Sequence, residues 1–274
     1  MSLDTSNTPI SPDPGSALVP SAPQIDLVLK PESRIFGNGA DQAMGTEQYR
    51  LLQGRLLHLQ SRMNLKRLLV TSACRAEGKT HVSANLALTM ARETDRRILL
   101  VDADIRKPDV HNVYGIPNQY GLTDVLRNGH ETWKAIRKVR GTNLHVLTAG
   151  SNVSQPLTTS GILTLKMLLD QMHSAFDLVI IDSPPILVAA DTPLLAKLAD
   201  GALLVVGASG TPRDMVVKAK DMLENLPIVG AVLNRVTPET VRYADLYGSA
   251  YGKPEPTGPA AQQARQRVPV RILS

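Results

Sequence analysis

The sequence predicts an α/β fold: a mainly parallel sheet with helices on both faces. Short apolar runs alternate with segments of helical period over some 200 residues. The runs show little polar alternation, as expected of strands covered on both sides. In chain order, an amphipathic helix over about 45–62 precedes the first strand, RLLVTS at 67–72. A helix at 82–93 leads to ILLVD at 98–102, and one at 122–127 to LHVLT at 144–148. Helical patterns at 162–174, 192–198 and 214–226 separate LVIID at 178–182, ALLVVG at 202–207 and IVGAVL at 228–233.

Composition narrows the function classes. The 274 residues carry a net charge of +5 and are 43% hydrophobic but only 3% aromatic. The core must therefore be aliphatic, and a base-stacking surface for single-stranded nucleic acid is not expected. One cysteine, Cys74, excludes an internal disulfide framework and a cysteine zinc site, and suits a reducing compartment. The opening MSLDTSNTPISPDPGS has no charged start followed by an apolar stretch, and no run of about 18 apolar residues occurs. No secretory signal or spanning helix is expected. Ten of the nineteen prolines fall in residues 1–34 and 253–274. The chain thus divides into a flexible Pro/Ser-rich segment at 1–40, a structured body at 41–240 and a flexible tail at 241–274. Three of the six tyrosines, Tyr243, Tyr247 and Tyr251, crowd into that tail.

After the first strand comes Ala73-Cys74-Arg75-Ala76-Glu77-Gly78-Lys79-Thr80, then a helix. This is the phosphate-loop pattern with Ala73 in place of the consensus glycine. Such a loop wraps backbone N–H groups around phosphates at the positive end of a helix. Ala76, Glu77, Gly78, Lys79, Thr80 and His81 are the candidate nucleotide-binding residues, with Lys79 reaching the β- and γ-phosphates and Thr80 offering a hydroxyl to Mg²⁺.

The second strand ends LLVDADIRKP, placing Asp102, Asp104 and Arg106 just past its carboxyl end, where open α/β sheets bind ligands. Two carboxylates at i and i+2 on an extended segment point the same way and invite a cation or hydroxyl between them. A capped turn with Asp104 starting a helix is the plainer alternative. The fourth strand ends FDLVIIDSPP, and Asp182 there matches the second carboxylate of nucleotide-hydrolysing sheets. Together these groups spell an Mg²⁺–ATP site.

In this order and spacing, SACRAEGKT, LLVDADIRKP and FDLVIIDSPP resemble the cytoplasmic domain of bacterial protein tyrosine kinases, a phosphate-loop family of the Min/Par-like branch. The resemblance covers about residues 44–252 and includes GLTDVLRNG, IVGAVLNRV and the tyrosine cluster. It implies an autokinase of capsule and exopolysaccharide export. Asp102 would orient or deprotonate a tyrosine hydroxyl, with Asp104 and Arg106 beside it. Thr80, Asp104 and Asp182 would serve the metal shell, Asn234 the adenine, and Tyr243, Tyr247 and Tyr251 would accept phosphate, between neighbouring subunits because the cluster sits on a tail. It also implies a separate membrane-bound polysaccharide co-polymerase as activator, a tyrosine phosphatase, self-assembly, and a place at the inner face of the cell membrane.

The competing reading is a Min/Par positioning or segregation ATPase. Its loop carries an early lysine that would fall at position 74, which is Cys here. Two departures from the kinase pattern stand out. Its Glu-x-x-Arg-x-x-Arg ring motif reads Glu47, Arg50, Gln53, and a loop glycine is replaced by Ala76, which would be strained at positive φ.

Overall fold

The computed structural model describes residues 22–30, 33, 35, 43–128, 132–151, 157–208, 210–236 and 268–273. Among them, nine strands form one sheet in the order β1-β4-β5-β3-β6-β2-β7-β8-β9. The strands are β1 (Gln24–Ile25), β2 (Arg67–Ser72), β3 (Ile98–Asp102), β4 (Arg137–Val139), β5 (Leu144–Leu147), β6 (Leu178–Asp182), β7 (Gly201–Gly207), β8 (Ile228–Val236) and β9 (Val268–Leu273). The helices are α1 (Ala43–Arg62), α2 (Lys79–Glu93), α3 (Val110–Tyr114), α4 (Leu122–Asn128), α5 (Thr132–Ala135), α6 (Thr159–Gln171), α7 (Asp191–Ala196) and α8 (Arg213–Met222). All pairings are parallel except β4 with β5 and β8 with β9.

The central strands are mostly apolar because both faces are covered. Successive side chains point to opposite faces. Leu69, Leu99, Val101, Val179, Ile181 and Leu204 pack on one side with Leu165 and Leu169 of α6, Leu195 of α7 and Ala219 of α8. Leu68, Val70, Leu100, Ile180, Leu203 and Val205 pack on the other with Leu52 and Leu56 of α1 and Val82, Leu86 and Met90 of α2. Each such aliphatic side chain taken out of water contributes about 1.5–3 kcal/mol. Among the described residues, no helix is long and apolar enough to cross a membrane.

Two strands lie inside segments read from sequence as flexible. Gln24–Ile25 joins β4 in parallel, and Val268–Leu273 runs antiparallel along β8, with Val236 paired to Val268 and Ala231 to Leu273. Those segments must be corrected at these positions. The prolines that suggested flexibility are compatible with edge strands, where a missing N–H interrupts no inner ladder. The VPVRIL stretch follows a proline-rich run that masked it.

The strand order fixes the site. β2 lies between β6 and β7, so the loop leaving β2 sits beside the carboxyl ends of β6 and, one strand further, β3. Register places Asp102 opposite Asp182 and Val70 opposite Asp182. The chain turns from β2 into α2 at this point, where sheets of this kind leave a crevice for ligands.

Candidate active site

The loop from Ala73 to Gly78 leads straight into α2, whose N-cap Gly78 adopts φ 90° and offers no side-chain cap. The first intrahelical bond runs from Val82 N–H to the Gly78 carbonyl. The amides of Lys79, Thr80 and His81 thus precede the helix's own acceptors and form an anion-seeking end. Gly78 is required here: a Cβ would lie 2.1 Å from Asn234 Nδ2. Ala76 sits at φ 62°, the strained conformation that the glycine-to-alanine change implied.

Lys79 is 7% exposed, and its positive charge acts on both Asp104 and Asp182. Asp102 and Asp182 are fully buried at adjacent strand ends. Asp102 Oδ2 accepts the N–H groups of Asp109 and Val110, each at 3.2 Å, tying β3 to the start of α3. Asp182 Oδ1 accepts the Ser83 hydroxyl at 3.0 Å. Asp102 Oδ1 and Asp182 Oδ2 have no hydrogen-bond partner. Burial, then the neighbouring Asp182 charge, holds the Asp102 carboxyl well above the usual carboxylate range. Burial pushes Asp182 up to about 6 against the opposing pull of Lys79 and Thr80. Asp104, also raised by burial, accepts the Lys107 N–H at 3.2 Å. It closes a turn and starts no helix; the carboxylate that meets a helix start is Asp102.

These orphaned oxygens are the test of whether a divalent cation fits. Each unpartnered buried oxygen costs about 1–3 kcal/mol, and the set beside Lys79 and Thr80 is all hard oxygen, the donor type Mg²⁺ takes. Among the described residues, no three His, Cys, Asp or Glu side chains form a metal cage. An ion held here needs further ligands from phosphate oxygens and water, as Mg²⁺ usually does.

Arg106 makes its hydrogen bonds outside the Asp102–Asp182 pair, while the Asp104 charge still acts on it. Its guanidinium takes both oxygens of Asp191, at 3.1 and 3.3 Å, and Asp191 also accepts the Leu157 N–H. Sequence reasoning missed that clamp, because Asp191 opens α7 without a recognisable motif. Ser83 was missed as well, although a serine four residues past Lys79 on an otherwise apolar helix face marks it. Asn234 donates its amide to the Glu77 carbonyl at 2.8 Å, so this side chain supports the loop. Cys74 is half-buried, and burial, then the Glu77 and Asp214 charges, raises its thiol, which leaves it a poor nucleophile. On α1, Arg50 pairs with Glu47 at 2.7 Å and Glu93 at 2.8 Å, while Gln53 is buried. Tyr243, Tyr247 and Tyr251 lie outside the described residues.

A family model described as an AAA domain matches residues 76–208. Tyrosine-protein kinase YwqD of Bacillus subtilis (strain 168) is 34% identical over 195 residues, covering 70% of this chain and 82% of that protein. The kinase domain of the Escherichia coli tyrosine kinase ETK superposes with a TM-score of 0.64 at 26% identity, covering 82% of this chain and 84% of that one. The septum site-determining protein MinD from Pyrococcus horikoshii, solved with Mg-ADP, gives a TM-score of 0.52 at 23% identity over 74% of this chain and 78% of its own. At that identity the likeness is one of fold.

Proposed function

This chain belongs to the bacterial tyrosine-protein kinases, and on that premise we propose that it uses Mg²⁺–ATP to phosphorylate its own Tyr243, Tyr247 and Tyr251. The observation that carries the proposal is the buried Asp102–Asp182 pair, with an unpartnered oxygen on each, beside Lys79 and a phosphate loop. Mg²⁺, when bound, neutralises charge on the β- and γ-phosphates. Thr80 and Asp182 would hold it, with Asp104 supporting its water shell. Lys79 and the first amides of α2 spread the charge that develops during transfer. Asp102 accepts the phenol proton. The phenolate oxygen bonds the γ-phosphorus as the bond to the bridging oxygen breaks, and ADP leaves. A carboxyl raised by burial suits that role, because a stronger base is needed against a tyrosine hydroxyl near pKa 10. Arg106 is held by Asp191 and acts on the site through its charge near Asp104. Asn234, its amide spent on Glu77, keeps its carbonyl oxygen for a base amino group.

The kinase reading is supported over a Min/Par positioning ATPase by relatives that are tyrosine-protein kinases. We place the activity in capsule or exopolysaccharide export, at the inner face of the cell membrane. A separate membrane-bound co-polymerase activates it, transfer runs between subunits, and a tyrosine phosphatase reverses it. The test incubates purified protein with Mg²⁺–ATP and an activator fragment and reads phosphotyrosine. Phosphotyrosine is expected in wild type and absent from Lys79→Met and from the variant with all three tyrosines changed to Phe. ATP hydrolysis without phosphotyrosine in wild type would overturn the proposal.

A further inference from the structure

Glu77 stands at a variable position of the phosphate-loop pattern, where only the backbone has an assigned role. The structure surrounds its side chain with donors. Glu77 is 3% exposed, its Oε2 accepts the Cys74 N–H at 2.5 Å, and its Oε1 accepts both the Gly207 N–H at 3.1 Å and the Thr211 hydroxyl. Its main-chain carbonyl accepts the Asn234 amide at 2.8 Å. One residue is thus gripped by the loop itself, by the end of β7 with the turn that follows, and by β8. Two non-glycine residues in the left-handed region, Ala76 at φ 62° and Arg235 at φ 58°, are the chain neighbours of Glu77 and Asn234. Such backbone persists where the surroundings over-determine it, and it collects at functional sites.

We infer that Glu77 is a positioning residue: with Thr211 and Asn234 it latches the phosphate loop into its cradle shape before nucleotide arrives. The physical reason lies in the amides. A loop whose N–H dipoles converge repels itself until an anion enters. Glu77 occupies the Cys74 N–H and anchors the loop to β7, which holds the remaining donors in place. A preformed cradle loses less conformational freedom on binding. The latch therefore acts on nucleotide affinity more than on the rate at saturation. This inference rests on the nucleotide site proposed above.

The test separates affinity from rate. For Glu77→Gln, which sets an amide N–H against one of three donors, the ATP KM and the Kd of a fluorescent ADP analogue are expected to rise about 5–20-fold, with kcat within about twofold. Thr211→Val reproduces part of that loss, and Thr211→Ser restores wild-type affinity. The double variant Glu77→Gln/Thr211→Val is no weaker than Glu77→Gln alone, because both changes remove one contact. In nucleotide-free protein, amide exchange across residues 73–80 quickens in Glu77→Gln. That readout needs neither nucleotide nor tyrosine acceptor, so it reports on the latch even where the kinase proposal fails. Unchanged affinity, a loss confined to kcat, additive losses in the double variant, or unchanged exchange would each overturn the inference.

Discussion

On the β3–β6 side of the phosphate loop, Asp102 and Asp182 each keep a buried oxygen without a partner. On the β7–β8 side, three donors meet the equally buried Glu77 carboxylate. The three carboxylates lie in one site and in similar burial, but their surroundings commit them to different work. A satisfied carboxylate rigidifies what it touches. An unsatisfied one is destabilising until a ligand completes it, and burial without a full set of donors leaves Asp102 and Asp182 holding their protons to higher pH than ordinary carboxylates. Hydrogen-bond completeness, more than burial or charge, distinguishes scaffold from chemistry here.

The sharpest way to break this contrast is to neutralise one member from each side. Asp182→Asn is expected to lower phosphotyrosine formation by at least about 100-fold, measured as initial rate at saturating ATP. The same substitution should stabilise the nucleotide-free protein at pH 8, since a buried amide costs less than a buried charge. A gain of about 1–2 kcal/mol, or a few degrees in Tm, is expected. Glu77→Gln should move Tm the other way. Matching signs in the two variants would erase the distinction.

A second effect comes from the steric join between the two sides. Gly78→Ala puts a Cβ 2.1 Å from Asn234 Nδ2 at a backbone φ of 90°. Strain of about 1–3 kcal/mol translates to roughly a 5- to 150-fold loss in nucleotide affinity, read by titration. Adding Asn234→Gly removes the clash but also the Asn234–Glu77 bond, and it leaves the φ penalty, so at most partial recovery is expected. Full recovery would mean that left-handed backbone at 78 is no constraint.

The pH dependence of Asp182 gives a smaller, signed test. Its folded pKa of about 6 lies above the unfolded value near 3.9. The folded state then binds more protons between these values, and its contribution to stability, full below about pH 4, is lost as pH rises through 6. His145, packed edge-on against Phe176 and pushed down to about 4 by burial, contributes in the opposite sense across the same window. The readout is therefore the Tm difference between wild type and Asp182→Asn, which cancels the histidine. That difference should be near zero at pH 4 and grow toward pH 8.

The two sides also differ in how much of them the sequence disclosed. Asp102 and Asp182 end uninterrupted apolar runs, a position that topology alone sends to the ligand crevice, and so they were legible. So were β2, β3, β5, β6, β7 and β8, whose short apolar runs stand out against the helical periods between them. The latch was not legible. Gly207 and Thr211 follow Glu77 by 130 and 134 residues, and nothing in either segment encodes their meeting. The Arg106–Asp191 clamp has the same origin across 85 residues. Short elements such as α3, α5 and β4 hold too few residues to show a period, and β9 stood behind prolines that argued against it.

The smallest effect concerns Ala76, where the strain foreseen from the replaced glycine is present at φ 62°. A left-handed alanine costs about 1–2 kcal/mol relative to its ordinary conformations. Glycine removes that penalty but gives back about 0.4–1 kcal/mol through the greater freedom of the unfolded chain. Ala76→Gly should therefore raise Tm by only a few degrees in thermal denaturation without nucleotide. With the Glu77 latch intact the loop already has its shape, so nucleotide affinity should stay within about twofold. In the Glu77→Gln background the outcome reverses in emphasis. Without the latch, an alanine at 76 pulls the loop out of its cradle, and glycine there should recover part of the lost affinity. If Ala76→Gly changed affinity equally in both backgrounds, strain at 76 and the latch at 77 would be independent, and the division between the two sides of the loop would rest on the carboxylates alone.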